Sequence, residues 1–310
     1  MKRGRREGRR GALLLAIVVA VAGCEPEAAP PFVTEPVTEP TLFAPGVIST
    51  GQNEFGIAFS PDGREAYFTR SSGGRGGRPR IFVSRVVDGA WSEPEPASFS
   101  TGWEEGPFLT PDGDRLLFSS RRDVPGWGPV PGNNNLWMVE RGPEGWAAPV
   151  PLAGDVNKPR VDQRNAPGRS EAGGVLLADG TLLYSTQEEP EQGEDIYAAD
   201  QVDGRFVDPR PMLLNSPGRE SSPAVSPDGR LLVFHGFRDA RAQSDDLFLS
   251  ERTEYGWSDP RPLPEPINSP EADEGWASFS RDGRLLFFSS DRGRGGMSIY
   301  YVGVEALGLD

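Results

Sequence analysis

Five times along the chain, two short apolar runs flank the same polar turn. Phe59-Ser60-Pro61-Asp62-Gly63 leads into Ala66-Tyr67-Phe68, and Leu109-Thr110-Pro111-Asp112-Gly113 into Leu116-Leu117-Phe118. Leu176-Leu177-Ala178-Asp179-Gly180 precedes Leu182-Leu183-Tyr184, Val225-Ser226-Pro227-Asp228-Gly229 precedes Leu231-Leu232-Val233-Phe234, and Phe279-Ser280-Arg281-Asp282-Gly283 precedes Leu285-Leu286-Phe287-Phe288. Each copy predicts a strand, a tight turn and a second strand. Proline presets φ at the first central position of a type I turn, and glycine accepts the left-handed conformation that sends the chain back. Asp before Gly is hairpin chemistry, so these aspartates are read as turn residues rather than catalytic acids.

The turn aspartates are spaced 50, 67, 49 and 54 residues apart, a period that suits a propeller of four-stranded blades. A third strand falls at Ile81-Phe82, Leu136-Trp137, Ile196-Tyr197, Leu247-Phe248 and Ile299-Tyr300. A fourth starts at Trp91, Trp146, Phe206 and Trp257, each followed by a proline-bearing segment, as an outer edge permits. The fifth outer strand must then come from the beginning of the domain. Val47-Ile48-Ser49 precedes Glu54 as Ile267-Asn268-Ser269 precedes Glu274, so residues 42–49 are expected to complete the last blade. The predicted architecture is all-β: a five-bladed β-propeller over residues 41–310, closed by its N-terminal strand, with no free sheet edge left to aggregate. The 31 Pro and 39 Gly fit such a succession of short strands and turns.

These repeats resemble the WD40-like propeller units of the TolB type, whose signature is a Ser-Pro-Asp-Gly turn between apolar strands. The likeness covers roughly residues 41–303. Ala178 and Arg281 depart from the signature proline, which implies less rigid turns in the third and fifth blades. By resemblance, such a propeller implies a binding role toward a protein or peptide of the cell envelope; fold by itself does not fix function.

Ahead of the repeats, Lys2, Arg3, Arg5, Arg6, Arg9 and Arg10 form a basic segment before an 11-residue apolar run from Ala12 to Ala22. That run is short for a membrane span and fits an export signal over residues 1–23. Val21-Ala22-Gly23-Cys24 resembles the lipobox of bacterial lipoproteins. This implies that Cys24 becomes a lipidated amino terminus and anchors the chain in an envelope membrane, stably because more than one acyl chain is attached. Glu25 follows the cysteine, so the inner-membrane retention Asp of some bacteria is absent, and the outer membrane is the expected address. Residues 24–40, rich in Pro and Glu, read as a semi-extended tether. Cys24 is the single cysteine, so no intramolecular disulfide is available. Removing residues 1–23 takes away six basic residues and one Glu, moving the formal charge from −14 to −19. So acidic a surface argues against nucleic acid as a ligand.

The tight turns fall on one face of the predicted ring and the long irregular connections on the other, which is therefore the expected recognition face of a monomeric domain. On that face a glutamate stands eight residues before every turn aspartate: Glu54, Glu104, Glu171, Glu220 and Glu274. As a ring around the channel mouth they would suit a basic group or a hard cation such as calcium. As structure they would pair with Arg70, Arg121, Arg238 and Arg292 at the ends of the second strands, the better-supported reading. Gln187 replaces the arginine in the third blade, so Glu171 is expected to be unpaired. Lys158, Arg160, Arg164 and Arg169 form a basic patch, and Trp127 lies in a long loop. Both are candidates for gripping a partner, against the ordinary alternatives of solvated charge and a Trp folded over its own loop.

Nucleophilic catalysis finds little support. His235 is the single histidine and has no nucleophile signature nearby, and the cysteine belongs to the lipobox. A His-rich zinc site is without residues, and the glycine-rich runs at 73–77 and 293–296 sit between predicted strands rather than opening a helix as a phosphate-binding loop would. Glycoside hydrolysis or lysis needs only two carboxylates in distinct surroundings, which five equivalent glutamates do not provide. The expectation is thus a lipid-anchored, non-enzymatic propeller that binds an envelope protein or peptide and needs no cofactor. A carbohydrate-active propeller or a glycan-binding lipoprotein is the alternative.

Overall fold

The computed structural model describes residues 1, 36–72, 77–127, 134–157, 170–187, 193–238, 244–293 and 295–309. The export signal, Cys24, most of the tether and the basic patch at 158–169 lie outside them.

Each repeat is one antiparallel blade. Blade 1 runs from an inner strand Glu54–Phe59 through Glu65–Ser72 and Arg78–Val87 to an outer strand in two pieces, Ala90–Trp91 and Glu95–Pro96. Blades 2, 3 and 4 repeat the order from Glu104–Leu109, Glu171–Leu176 and Arg219–Val225. Blade 5 is built on Glu274–Phe279, Leu285–Ser290 and Ser298–Gly303, and its outer strand is Thr41–Leu42, which pairs with Tyr301 and Tyr300. The five inner strands contact one another in sequence, and the fifth contacts the first. The chain is therefore a closed five-bladed β-propeller.

Burial explains the closure. Five hydrophobic clusters fill the five seams between neighbouring blades, such as Tyr67, Ile81, Leu116 and Phe118 between blades 1 and 2. The seam between blades 5 and 1 is filled around Phe43, whose ring makes edge contacts with Phe59, Trp91, Phe287 and Tyr301. The N-terminal segment also supplies the polar groups of an ordinary inter-blade link. Ser49 accepts the Ile299 N–H through Oγ and donates to the Ile299 carbonyl, as Asn268 does to both backbone groups of Leu247 and Asn215 to those of Ile196. Residues 41–49 thus complete the ring, but the ladder is only Thr41–Leu42, one residue earlier and shorter than the strand expected over 42–49, and the rest is a link.

The repeated turns are alike in detail. Asp62 Oδ1 accepts the Ser60 hydroxyl at 2.5 Å and the Arg64 N–H at 3.0 Å, and Gly63, at φ 69°, closes the turn onto the Ser60 carbonyl. Thr110 with Asp112, Ser226 with Asp228 and Ser280 with Asp282 do the same. In blade 3 Leu177 replaces the hydroxyl residue, and Asp179 caps the Thr181 N–H. The shorter hairpins at Asp88-Gly89 and Asp203-Gly204 have positive φ at both residues, the type I′ geometry that matches strand twist. Both sets of turns lie on one face.

Candidate functional site

The five repeated glutamates sit at the head of the inner strands and are buried, four of them fully. They do not form an open carboxylate ring. Glu54 accepts the Thr50 and Gly51 N–H groups, the Thr50 hydroxyl and the Arg70 guanidinium. Glu104 is held by Ser100, Thr101, Gly102 and Arg122; Glu220 by Ser216 and Arg238; Glu274 by Ser269, Ser290 and Arg292. Each of these four carboxylates ties the link that enters its blade to the strand beside it. The arginines extend the tie by donating to link carbonyls: Arg70 to Val47 and Ile48, Arg238 to Leu214, Arg292 to Pro266 and Ile267. Burial pushes the carboxyl groups of Glu220 and Glu274 up despite these donors.

In blade 2 the partner is Arg122, at 2.9 Å, and not Arg121 as the sequence suggested. Glu104, Glu220 and Glu274 pair across the ladder with Ser120, Gly236 and Ser290, and their arginines stand two residues beyond, on the same side of the chain. Arg121, one residue beyond, points the other way, stacks on the Trp103 ring at 3.9 Å and donates to Asn134. Glu171 is as buried as its equivalents and is not without a partner, so the unpaired carboxylate expected there gives way. The link that would hold it falls in residues 158–169, outside the described residues.

Two residues after each glutamate the inner strand bulges, with positive φ at Gly56, Gly106, Gly173, Ser222 and Trp276. The bulge turns an N–H away from its own ladder and toward the preceding blade. Gly56 donates to Ser289 Oγ, Gly106 to Thr69 Oγ1, Ser222 to Ser185 Oγ and Trp276 to His235 Nδ1. The single histidine thus occupies a serine or threonine position in an inter-blade latch. It is 3% exposed, and burial, helped by the Arg219 charge, holds its pKa well below the usual value.

Trp276 has a second role. Its ring packs against Phe55 and His235 and lies over Gly56 and Gly106; a Cβ on Gly106 would stand 2.7 Å from the indole. The indole therefore lies across the middle of the central channel. Above it, toward the long-loop face, a charge network crosses the channel. Arg219 bridges Glu194 and Asp245, while Glu105 accepts from Asn134 and is pushed up by burial, with Glu194 adding to the shift against Arg121. Glu194 and Asp245 share one repeat position, two residues before Ile196 and Leu247, but the other blades carry no acid there, so the repeat pattern did not single it out.

Below Trp276 the channel opens into a cavity of about 640 Å³. Ala58, Phe108, Val175, Ala224 and Phe279 contribute to its largely apolar wall, and the Asp-Gly turns form its rim. It extends outward between blades 3 and 4 past Leu177 and Trp257. Arg281, which replaces the turn proline of blade 5, crosses the rim and donates to the carbonyls of Phe59, Leu109 and Thr110 at 3.2, 3.2 and 2.6 Å. The departure from the signature is thus a strap joining three blades. This cavity lies on the tight-turn face, opposite the face nominated from loop length. Parts of several long loops of that other face lie outside the described residues. Trp127, in the described part of one of them, packs against the cluster between blades 1 and 2.

No protein-family model matches this chain, and no curated protein matches its sequence. Solved structures resemble it in fold. TolB from Acinetobacter baumannii is 15% identical, with a TM-score of 0.47, over 82% of this chain and 55% of its own. A puromycin hydrolase is 22% identical, with a TM-score of 0.43, over 84% of this chain and 39% of its own. The tricorn protease is 17% identical, with a TM-score of 0.47, over 82% of this chain and 22% of its own. The chain spans about half the length of that TolB structure and less of the two enzymes.

Proposed function

We propose that this chain is a non-enzymatic propeller, lipid-anchored at Cys24 in the cell envelope, that takes an extended peptide segment of a partner protein into the cavity on its tight-turn face. The observation that carries the reading is that cavity. Its volume, about 640 Å³, suits a few side chains, and its apolar wall is built on inner strands latched blade to blade. The polar groups nearest to catalytic types are committed elsewhere: His235 Nδ1 to a backbone N–H, the repeated glutamates to link and arginine, the turn aspartates to their own turns. Recognition through an apolar pocket uses none of them.

The tether supports the same face. The Val37 carbonyl accepts the Gly303 N–H at 2.6 Å, and Gly303 pairs with Leu285 just after the Asp-Gly turn of blade 5. The chain therefore joins the ring at the tight-turn end. Twelve residues lie between Cys24 and Val37, a reach of at most about 45 Å. An anchor at Cys24 would keep the tight-turn end within that reach of the membrane.

Selection of displayed peptides on the full-length chain in detergent tests the binding reading, with Ala58→Trp to fill the channel. Enrichment of apolar segments that Ala58→Trp abolishes is expected; enrichment indifferent to the filled channel overturns it. Labelled palmitate incorporated by the native chain and lost in Cys24→Ser is the separate result expected for the anchor.

A further inference from the structure

Arg281 stands at the cavity rim in an unusual state of pairing. Several buried or half-buried arginines of this acidic chain contact carboxylates, as Arg70, Arg122, Arg219 and Arg292 do. Arg281 meets backbone carbonyls, through Nε and Nη2, and among the described residues it makes no ion pair with a carboxylate. Its Nη1 has no hydrogen-bond partner among the described residues and is not buried. Burial works against the charge and draws its pKa below the usual arginine value, with Asp112 near enough to offset this only in part. The result is a fixed cation, its position set by three hydrogen bonds donated to two other blades, with its Nη1 amino group still open. An open guanidinium N–H gives a carboxylate a charge-assisted hydrogen bond.

The other side of the cavity supplies a path. Where it extends between blades 3 and 4, Leu177 and Trp257 form an apolar shelf, and Arg252 lies over the Trp257 ring at 5.1 Å. A chain laid along the shelf reaches the central channel at its end, under Arg281.

We propose that the cavity is a receptor for a free peptide C-terminus, with the terminal carboxylate on Arg281 Nη1, the last apolar side chain in the channel below Trp276, and the preceding residues along the Leu177–Trp257 shelf. This deepens the peptide-binding reading and rests on it. A terminal carboxylate meets both requirements of the site, charge at the rim and an apolar group immediately beside it. An internal Asp or Glu would set its charge on a side chain and leave the channel to a neighbour in the sequence.

The test uses the full-length chain in detergent and two hexapeptide pools, random except for a terminal Leu, Ile, Val or Phe. One pool carries free carboxylates and the other terminal amides, and retained peptides are quantified by mass spectrometry. Retention of the free acids about tenfold above the amides is expected, roughly 1.4 kcal/mol in favour of the charged end. Arg281→Met, which keeps the aliphatic stem and removes the charge, is expected to bring the ratio to about one, while Arg281→Lys keeps part of it. The comparison of pools on the unaltered chain decides even if Arg281→Met fails to fold. Equal retention of both pools overturns the carboxylate assignment and leaves peptide binding standing. Retention of neither overturns peptide binding itself. Dodecanoate that binds where no peptide does assigns the site to a fatty acid and overturns the peptide source.

Discussion

His235 Nδ1 accepts the backbone N–H of Trp276 at 3.3 Å, joining blade 4 to blade 5 where three other seams use a serine or threonine hydroxyl. The bond requires a neutral imidazole with Nδ1 unprotonated. A protonated ring would donate from that atom and place a charge in a buried site beside Arg219.

This gives stability a pH dependence of definite sign. The folded pKa of His235 is depressed, so its contribution is fully present above the unfolded value of about 6.5 and is lost as pH falls from there toward the folded value. One proton taken up by the unfolded chain corresponds to a loss of about 1.4 kcal/mol between pH 7.5 and 5.5. Denaturant midpoints at both pH values measure it. His235→Ser, which restores the hydroxyl used at the other seams, is expected to remove this part of the slope.

Gly106 and Trp276 are coupled through space rather than along the chain. Alanine at Gly106 places a Cβ 2.7 Å from the indole on a backbone at φ 63°, and is expected to cost about 1–3 kcal/mol. Trp276→Ala removes the obstacle but not the φ penalty. The double variant is expected to be more stable than the sum of the single effects, by a coupling of about 1 kcal/mol in a denaturation cycle.

The buried Glu274 and Arg292 distinguish a structural tie from a ligand ring. Glu274→Ala strands a half-buried guanidinium and the Ser269 N–H, and is expected to cost about 3–5 kcal/mol by chemical denaturation. Added calcium is expected to leave the native chain's melting temperature unchanged, since these carboxylate oxygens are occupied by protein donors. A calcium-dependent rise in melting temperature would restore the cation site.

Phe43 tests the closure of the ring. It fills the seam between the last and first blades, and Phe43→Ala is expected to cost about 3–5 kcal/mol. Release of Thr41–Leu42 from Tyr300 and Tyr301 would also expose the edge of Ser298–Gly303. Light scattering during thermal unfolding should therefore rise at lower temperature in this variant than in one of equal cost at an internal seam, such as Leu116→Ala.

What the sequence determined by itself was what repeats. The Asp-Gly turns, the apolar strands, the glutamate heading each blade and the equivalence of residues 47–49 with 267–269 are local signals written five times, and repetition separates them from chance. Tertiary structure decided what happens once in the ring. Arg122 rather than Arg121 meets Glu104 because side chains alternate across an extended strand, and a one-residue offset in a loop reverses the direction. The channel plug at Trp276, the histidine latch beneath it and the strap at Arg281 each join residues far apart in the chain. Distances between blades depend on how the seams pack, which no window of sequence contains. That is also why the cavity came to light on the tight-turn face: loop length marks where a chain can vary, while an opening is set by the inner strands and by the side chains that cross it.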